Sequence, residues 1–426
     1  MAKHYWLAFS GGLDSTVLLH ALTKLQLSQK ISFSAVHVHH GLSDKADAWA
    51  SQCHQLCLQY NIPFQRFNVD ASPVTGESPE ATARQLRYES LATVMQPGDV
   101  LLTAHHQDDQ AETLLLQLMR GSGAPGLSAM PFENDFATGK LLRPLLEFSR
   151  SELEDYAHNH QLNWVEDESN QDTSFDRNFM RHDILPLLLS RWPGVVNNLN
   201  RTAGHMADAA LLLDELAMQD LAQCKQTEKR SLNIDVLKNL HEPRQRNVLR
   251  FWLRSLGLNI PSHLQLQHVL NDVLASRSDA IACVSWPGVE VRKYRGQLFA
   301  LSALSEHDVR RNVSWDLTNE LQIDGVGTLQ VKQATGTGLA ISLQHQKLNI
   351  TFRQGGEKIK PANRGHHHDL KKLFQEAGVP PWERDRTPIL YQGDEILAVA
   401  GLCVCETYQA EKDQPGLILE WNSDFS

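Results

Sequence analysis

The stretch Ser10-Gly11-Gly12-Leu13-Asp14-Ser15 decides how the first part of this 426-residue chain folds. It follows an apolar run at 5–9 that predicts a buried strand, and it precedes residues 16–22, which predict a helix. Two glycines let the backbone approach an anion closely. The free N–H groups at a helix start attract phosphate, and the hydroxyls of Ser10 and Ser15 add donors. The stretch therefore predicts a phosphate-binding turn, although it lacks the Gly-Lys-Ser/Thr ending of a Walker A loop.

The composition is that of an ordinary soluble globular protein, with 42% hydrophobic and 21% charged residues. No apolar run approaches the roughly 20 residues that span a bilayer, and no signal-peptide pattern opens the chain. The six cysteines do not form a CxxC pair, and they are too few for a disulfide framework. We therefore expect a cytoplasmic protein without membrane contact, in which the cysteines pack as small hydrophobic residues.

The net charge of −10 argues weakly against nucleic acid as a partner. Basic residues nevertheless concentrate at 225–254 and at 353–386. Local patches bind nucleic acid whatever the net charge of the chain. Each cluster is thus either a solvated face or a binding surface.

Strands and helices alternate along the first 110 residues. We predict strands at 33–39, 64–69 and 100–103, and helices at 46–60, 79–95 and 107–119. This alternation predicts a parallel sheet with right-handed crossovers. Ligands bind such sheets at the carboxyl ends of the strands. The turn at 10–15 and the stretches at 37–40 and 105–109 lie at such ends, so we expect them to converge on one site.

The rest of the chain predicts two further domains. Helices are expected at 201–221 and through 232–276, strands at 281–301, and mixed strands with one helix, at 370–377, within 341–420. The predicted fold class is α/β: an N-terminal parallel-sheet domain at 1–215, a mostly helical middle domain at 216–310 and a small mixed α/β C-terminal domain at 340–426.

The segment 103–113, TAHHQDDQAET, is the second motif that points to a functional site. It has two histidines, followed by three acidic residues. Asp109 and Glu112 are three apart, so they share one helical face. Acidic residues in a first helical turn commonly just complement the helix dipole. Beside a phosphate turn, however, they suit Mg²⁺. His105 is a candidate for phosphate contact or proton transfer, and His106 for the same role or a structural hydrogen bond.

Two further groups of residues are candidates for nucleotide contact. His37 and His39 share one face of a strand. Zinc is an alternative on spacing, but no acidic or thiolate partner is adjacent in sequence, so contact with the nucleotide is favoured. Arg84 and Arg87 are three apart on a helix, where they are either a cationic clamp for phosphate or a solvated face.

Taken together, the motifs resemble the tRNA(Ile)-lysidine synthases, a family of the ATP pyrophosphatase (PP-loop) superfamily. The matching segments are SGGLDS at 10–15, HVHHGL at 37–42, EATARQLRY at 80–88, the run from 103 to 130, RPLL at 143–146, the run from 164 to 186, and the run from 355 to 391. The first segment alone indicates the superfamily, with its adenine nucleotide alpha hydrolase-like fold. The segments at 103–130 and 355–391 narrow the resemblance to one activity.

The resemblance implies a ligase that forms a C–N bond during tRNA modification. ATP adenylates the wobble cytidine of an isoleucine tRNA with a CAU anticodon, and free L-lysine displaces AMP to give lysidine. ATP, Mg²⁺, lysine and this tRNA are therefore the implied cofactors and partners. Adenylation makes the ring oxygen a good leaving group, Mg²⁺ offsets triphosphate charge, and the attacking amine must be neutral.

The resemblance also implies roles for individual residues. The catalytic residues are Asp14, Asp109 and Glu112, of which Asp109 and Glu112 are also the metal candidates. The ATP-binding residues are Ser10, Gly11, Gly12, Leu13, Asp14, Ser15, His37, Arg84, Arg87 and His105. The tRNA-binding residues are Arg177, Asn178, Arg181, Arg364, Lys371, Lys372 and Arg384. Many family members carry Arg where this chain has Ser43.

Three alternatives stay open on the sequence. A tRNA thiolase shares the ATP-binding turn, but sulfur transfer generally needs a persulfide cysteine or an iron–sulfur cluster, and no CxxC pair is present. An amidating ligase would need an ammonia source, and no glutaminase-like segment is seen. A non-catalytic RNA-binding protein would have no use for both SGGLDS and DDQAET. The oligomeric state also stays open, with a homodimer as one alternative.

Overall fold

The computed structural model describes residues 2–29, 31–39, 41, 45–69, 79–224, 230–277, 282–304, 306–362 and 364–423. It divides into two compact units, Met1–Leu213 and Asp214–Ser426. His40, Leu42 and Ser43 lie outside the described residues. Within the described ranges, every helix is too short or too polar to cross a lipid bilayer.

The first unit is built on a six-stranded sheet of order β3-β2-β1-β4-β6-β5. All neighbouring strands are parallel except the edge pair β5–β6. Its elements are β1 (Tyr5–Ala8), α1 (Leu13–Gln29), β2 (Phe33–His39), α2 (Ala46–Gln59), β3 (Phe64–Asn68), α3 (Pro79–Thr93), β4 (Val100–Leu102), α4 (Gln107–Met119), α5 (Ala124–Leu127), β5 (Glu133–Phe136), β6 (Gly139–Leu142), α6 (Arg150–Asn159), α7 (Asp176–Phe179), α8 (Leu185–Arg191) and α9 (Val195–Cys224). The predicted parallel sheet with alternating helices is therefore confirmed.

The sheet buries both faces, because alternate side chains of each strand point to opposite sides. On one side Leu7 packs with residues of α1, α2 and α6, among them Leu19, Cys57 and Leu153. On the other side Val36 and Leu101 pack with residues of α3 and β6. The strand ends are thus held rigidly, and the loops that leave them carry the polar residues of the site.

The structure lengthens two predicted helices. Helix α1 begins at Leu13, inside the Gly-rich turn, and α9 runs over 30 residues where 201–221 was predicted. Residues Glu168–Gln171 form a 3₁₀ turn and Met180–Ile184 a π-helical turn between α7 and α8. The division between the two units falls inside α9, after Leu213.

The second unit begins in α9 and contains three four- or five-stranded antiparallel sheets. Its further elements are β7 (Ser231–Asn233), α10 (Ile234–Asn239), α11 (Glu242–Ser255), α12 (His263–His268), β8 (Cys283–Trp286), β9 (Val289–Tyr294), β10 (Gln297–Ser302), β11 (Val313–Trp315), β12 (Leu321–Ile323), β13 (Gly327–Thr335), β14 (Leu339–Ala340), β15 (Leu348–Thr351), β16 (Lys358–Ile359), β17 (His368–Asp369), α13 (Leu370–Glu376), α14 (Pro381–Arg384), β18 (Ile389–Gln392), β19 (Glu395–Val399), β20 (Cys403–Val404) and β21 (Pro415–Ser423). The sheet orders are β7-β10-β9-β8, β11-β15-β18-β19-β20 and β12-β13-β21-β14.

The middle region is mostly helical and has its own core around Trp252, which is fully buried. This region begins with a strand, Ser231–Asn233, where only helices were predicted. The strand forms because it pairs with the distant strand β10, and such long-range pairing overrides local propensity.

The C-terminal strands begin before residue 340, the start that the sequence predicted for this domain. Strand β11 pairs with β15, and β13 pairs with β21 over nine residues. A second short helix, Pro381–Arg384, follows α13, where one helix was expected. Pro381 suits its first turn, since proline lacks the N–H that a helix start leaves unpaired anyway.

Candidate active site

The Gly-rich turn is held by its two serines. The Gly11 N–H donates to Ser15 Oγ at 3.1 Å, and Ser15 Oγ donates to the Gly12 carbonyl at 3.0 Å. Ser10 Oγ lies 3.0 Å from Ser15 Oγ and accepts from the Gly12 N–H at 3.4 Å. The serines therefore shape the turn in addition to offering hydroxyls at the start of α1.

Gly11 admits no side chain. Its φ of +86° is a left-handed conformation that L-residues rarely adopt. A Cβ built there would lie 2.6 Å from Cys53 Sγ of α2. The Gly11 carbonyl also accepts from the Val165 N–H at 2.9 Å. The turn is thus packed between α2 and the segment around residue 165.

His37 lies at the end of β2, next to the turn. Its Nδ1 donates to the Phe9 carbonyl at 2.9 Å, and its side chain is buried. Burial lowers the pKa of His37, so its ring is neutral near pH 7. The hydrogen bond fixes the proton on Nδ1, which leaves Nε2 as an acceptor.

The two acidic candidates on α4 meet two arginines. Arg177 donates from Nε to Glu112 Oε2 at 2.9 Å and from Nη2 to Asp109 Oδ1 at 3.0 Å. Arg181 donates from Nε to Glu112 Oε1 at 2.6 Å and from Nη2 to Asp109 Oδ1 at 3.0 Å. The Glu112 side chain is 0% exposed and that of Asp109 9%. The sequence placed these four residues in two separate predicted roles, whereas the fold joins them in one network.

His106 connects this network to the Gly-rich turn. It caps α4: its Nδ1 accepts from the Asp108 N–H at 3.3 Å, and its own N–H donates to Asp109 Oδ2 at 3.0 Å. Its Nε2 lies 3.4 Å from Asp109 Oδ2 and 3.7 Å from Asp14 Oδ2. Burial opposes a charge on this ring, but the surrounding carboxylates outweigh burial and raise the pKa of His106.

The carboxylates respond to the same neighbours. For Asp109, burial favours the protonated form, but His106 and the two arginines outweigh it and hold the pKa well below its usual range. For Asp14, burial prevails over His106 and Arg150 and raises the pKa. Asp109 is therefore a fixed anion, whereas Asp14 is the more basic carboxylate of the two.

Arg150 was not singled out from the sequence. It is the first residue of α6, and its Nη1 lies 3.3 Å from both carboxylate oxygens of Asp14. Its backbone N–H donates to Asp108 Oδ2 at 2.8 Å. The pattern Ser149-x-x-Glu152 before it is a capping box that could have located this helix start.

A cavity of about 940 Å³ gathers most of the predicted residues of the first unit. His105 lines it, and burial lowers the pKa of His105 to about 3, so this ring is neutral. Arg84 and Arg87 also line it, and the Arg84 guanidinium lies 5.2 Å from the centre of the Tyr88 ring. The other predicted residues in its lining are Ser10, Gly12, Leu13, Asp14, Ser15, His37, Asp109, Glu112, Arg177, Asn178 and Arg181.

The same cavity has aromatic lining that the sequence did not reveal. Trp49, Trp164 and Phe175 come from three separate segments and all border it. No local pattern marks an aromatic residue as a cavity wall, so only the fold could identify them. Flat aromatic faces are suited to stacking on bases.

The predicted magnesium ligation by Asp109 and Glu112 does not fit this arrangement. All four of their carboxylate oxygens already accept hydrogen bonds, from two guanidinium groups and from the His106 N–H. Two carboxylates facing two guanidiniums are also balanced in charge. A further cation at these oxygens would compete with both arginines, so the arrangement does not suit a metal ion there.

In the second unit, the predicted residues differ in how free they are. Lys371 and Lys372 are exposed on α13. Arg364 pairs with Glu376 at 2.7 Å. Arg384 donates to the Val379 carbonyl at 2.8 Å and to the Tyr294 hydroxyl at 2.9 Å. Arg364 and Arg384 are therefore already held by partners within the protein.

Trp382, which lies within the basic region at 353–386, is packed inside the second unit. Its side chain is 7% exposed. The ring meets Phe299 at 5.3 Å and Tyr294 at 6.1 Å between centroids, both edge to face. Arg292 lies 5.6 Å from its centre. This aromatic contact joins α14 to the strands β9 and β10.

Comparisons with known proteins cover nearly the whole chain. Residues 1–188 match the model of the PP-loop domain, 232–299 that of the TilS substrate binding domain, and 348–421 that of the TilS substrate C-terminal domain. The tRNA(Ile)-lysidine synthase of Coxiella burnetii is 42% identical over 421 residues, which are 99% of this chain and 92% of the relative. That of Methylococcus capsulatus is 40% identical over 420 residues, 98% of this chain and 96% of the relative.

A likeness to a solved structure is more distant. A U34-tRNA thiolase from Methanococcus maripaludis superposes with a TM-score of 0.43 at 17% identity, over 48% of this chain and 72% of the thiolase. A likeness of this size does not bear on the choice of reaction.

Proposed function

This chain belongs to the tRNA(Ile)-lysidine synthase family, and from that premise we propose how its cavity carries out the reaction. The enzyme is an ATP-consuming ligase that forms a C–N bond on tRNA. We propose that the nucleophile is free L-lysine and that the acceptor is the wobble cytidine of an isoleucine tRNA with a CAU anticodon. The family relationship favours this reaction over thiolation.

The reaction has two steps. The carbonyl oxygen of cytosine attacks the α-phosphorus of ATP, and the bond to the β-phosphate breaks to release pyrophosphate. The side-chain nitrogen of lysine then attacks the ring carbon that bears the adenylated oxygen. The bond between this carbon and the oxygen breaks, and AMP leaves with the oxygen. The attacking amine gives up a proton to a base, so charge and atoms balance.

One observation carries the proposal: a single cavity is lined both by the Gly-rich turn and by the acid–arginine network. Adenylation needs a phosphate cradle, and the turn offers backbone N–H groups and serine hydroxyls at the start of α1. Lysine attack needs groups that recognise an amino acid beside that cradle. A cavity of about 940 Å³ is within the range of ligand sites, roughly 300–1,000 Å³.

We propose that Asp109, Glu112, Arg177 and Arg181 recognise lysine. A zwitterion carries a carboxylate and ammonium groups, and these can exchange partners with the arginines and carboxylates of the network. Each charge stays compensated during such an exchange, which keeps its cost low in a poorly solvated site. Arg177 and Arg181 then act on lysine, not directly on tRNA.

Asp14 is the proposed base. Its side chain is 26% exposed, compared with 9% for Asp109, and it is not tied to the two arginines. Burial raises the pKa of Asp14, which makes it the better proton acceptor. His37, His105, Arg84 and Arg87 are proposed nucleotide contacts. Magnesium is proposed to enter with ATP, where it would offset phosphate charge.

The second unit is proposed to hold the tRNA. Lys371 and Lys372 are exposed and suit phosphate contact. Arg364, Arg384 and Asn178 remain proposed contacts that would first have to leave their partners within the protein. We also propose domains close to 1–215, 216–310 and 340–426, and a cytoplasmic location, consistent with six free thiols. A homodimer remains a prediction for sedimentation.

Incorporation of radiolabelled lysine tests the function. Purified enzyme is incubated with ATP, Mg²⁺ and either isoleucine or methionine tRNA bearing CAU. We expect ATP-dependent label on the isoleucine tRNA alone. Pyrophosphate release with this tRNA but no label, whatever the lysine concentration, would keep the adenylation step and reject lysine as the nucleophile.

A further inference from the structure

We propose that Arg150 is a positioning residue for the adenylation step, acting through the carboxylate of Asp14. The inference rests on the proposed function, since it assumes that a triphosphate binds beside the Gly-rich turn. Arg150 and Asp14 are 136 positions apart in the sequence, so they meet only in the folded chain. Its contacts with Asp14 and Asp108 join α6, α1 and α4 at the cavity.

The main chain of Arg150 is anchored independently of its side chain. Its N–H donates to Asp108 Oδ2 at 2.8 Å. The preceding Ser149 forms a reciprocal capping box with Glu152, with its N–H donating to Glu152 Oε2 at 2.8 Å. Because the helix start is held on both sides, the guanidinium leaves a defined point next to Asp14. A substitution of the side chain therefore leaves these backbone contacts in place.

The guanidinium is shared between two carboxylates. Nη1 lies 3.3 Å from both oxygens of Asp14, and Nε donates to Glu154 Oε1 at 2.9 Å. The Arg150 side chain is 41% exposed, and that of Glu154 47%. Because its guanidinium already contacts two carboxylates, Arg150 is not a free cation available to bind phosphate. The carboxylate that its guanidinium contacts in the cavity is that of Asp14, so its effect on the reaction passes through that group.

Asp14 needs such a partner because other negative charge surrounds it. Asp109 lies close enough to raise the pKa of Asp14, and a triphosphate at the turn adds further repulsion. His106 offsets this negative charge, with its Nε2 at 3.7 Å from Asp14 Oδ2. Arg150 offsets it as well, at 3.3 Å from both oxygens, and gives the carboxylate a second contact. Without Arg150, Asp14 would be free to rotate and would repel the nucleotide more strongly.

The test compares Arg150→Gln, Arg150→Lys and the matched control Glu154→Gln. Glu154 also contacts the guanidinium but does not line the cavity. The readout is ATP–pyrophosphate exchange with isoleucine tRNA and no lysine, together with the Kd for ATP from calorimetry. For Arg150→Gln we expect exchange to fall about 10- to 100-fold, as for a lost charge-assisted hydrogen bond. Arg150→Lys should recover part of it, and Glu154→Gln should match wild type.

A second comparison separates positioning from direct phosphate contact. If Arg150 acts through Asp14, Arg150→Gln weakens ATP binding in the wild type but changes it less than twofold in an Asp14→Asn background. An equal loss in both backgrounds would mean that Arg150 binds the nucleotide itself and would overturn the proposal. Unchanged exchange and Kd in Arg150→Gln would overturn it as well.

The same data keep the two hypotheses apart. If wild-type enzyme shows no ATP–pyrophosphate exchange with tRNA, the adenylation step is rejected, and the proposed function is rejected with it. The two ATP affinities then still decide whether Arg150 acts through Asp14. If wild type exchanges and Arg150→Gln does too at the same rate, only the role of Arg150 is rejected.

Discussion

Replacing Glu112 with Gln perturbs the most deeply buried charge of the site. Glu112 is fully buried and accepts three hydrogen bonds from two guanidinium groups. Gln keeps the shape of the side chain but removes the charge and one of the two acceptor oxygens. Arg177 and Arg181 are then left facing Asp109 alone, so one positive charge is uncompensated in a poorly solvated place.

The cost follows from this geometry. Breaking a buried ion pair by removing one partner costs about 3–5 kcal/mol. The Arg177 and Arg181 side chains are 23% and 31% exposed, so water relieves part of the penalty. We therefore expect a loss of about 3 kcal/mol, near the lower end of that range. For a unit of this size, that lowers the melting temperature by about 6–12 °C.

Scanning calorimetry of the full chain measures this effect, and lysine incorporation is measured beside it. The control is Asp220→Asn, since Asp220 is also a fully buried partner of an arginine, Arg244, but belongs to the second unit. We expect Glu112→Gln to lower the transition of the first unit and to abolish incorporation. Asp220→Asn should lower a transition without that loss of chemistry.

A double variant tests the reasoning itself. Adding Arg181→Gln to Glu112→Gln removes the uncompensated charge, so about 1–2 kcal/mol of stability should return, within the usual range of coupling energies. Two results would refute the argument: a melting temperature for Glu112→Gln within about 1 °C of wild type, or strictly additive losses in the double variant.

Three further outcomes are expected. Gly11→Ala should abolish ATP binding in calorimetry, because its Cβ would lie 2.6 Å from Cys53 Sγ at a φ of +86°; a wild-type Kd would contradict this. Lys371→Ala with Lys372→Ala should weaken tRNA binding and lower the salt slope by about two, while ATP affinity stays unchanged; an unchanged slope would exclude these phosphate contacts. Denaturation from pH 7 to 4 should show a loss of stability that His105→Gln reduces.

The direction in which His105 makes stability depend on pH follows from proton uptake by the unfolded chain. Burial lowers its pKa from 6.5 to about 3 in the folded protein. Between these values the unfolded chain binds a proton that the folded chain refuses, so stability falls as the pH falls through this window. His105 contributes at most about 1.4 kcal/mol per pH unit there. An identical pH slope in His105→Gln would show that this ring is not excluded from protonation.

The predictable part of the structure is what local physics encodes. An apolar run, two glycines and a helix start predict a strand, a turn and a helix without knowledge of the rest of the chain. The helix predicted at 107–119 is observed as Gln107–Met119, and the strand at 33–39 as Phe33–His39. The alternation of such elements was enough to infer the parallel sheet and the edge at which the predicted residues meet.

The partners of each charge, in contrast, depended on tertiary structure. Spacing placed Asp109 and Glu112 on one helical face, and that face proved to meet Arg177 and Arg181. From spacing alone, we predicted a magnesium site at these two carboxylates. A carboxylate attracts any cation. The packing of α4 against the segment after residue 175 decides which cation reaches it, and the spacing of residues in the sequence does not reveal that packing.

The sequence by itself determined the Gly-rich turn, the α/β class and, through its motifs, the family. Only the tertiary structure decided that Arg150 lies 3.3 Å from Asp14 and that Trp382 is buried against Phe299 and Tyr294. The reason is physical. Turns and helix starts depend on dihedral angles and neighbours within a few residues, whereas burial and ion pairing depend on segments that meet only after the chain has folded.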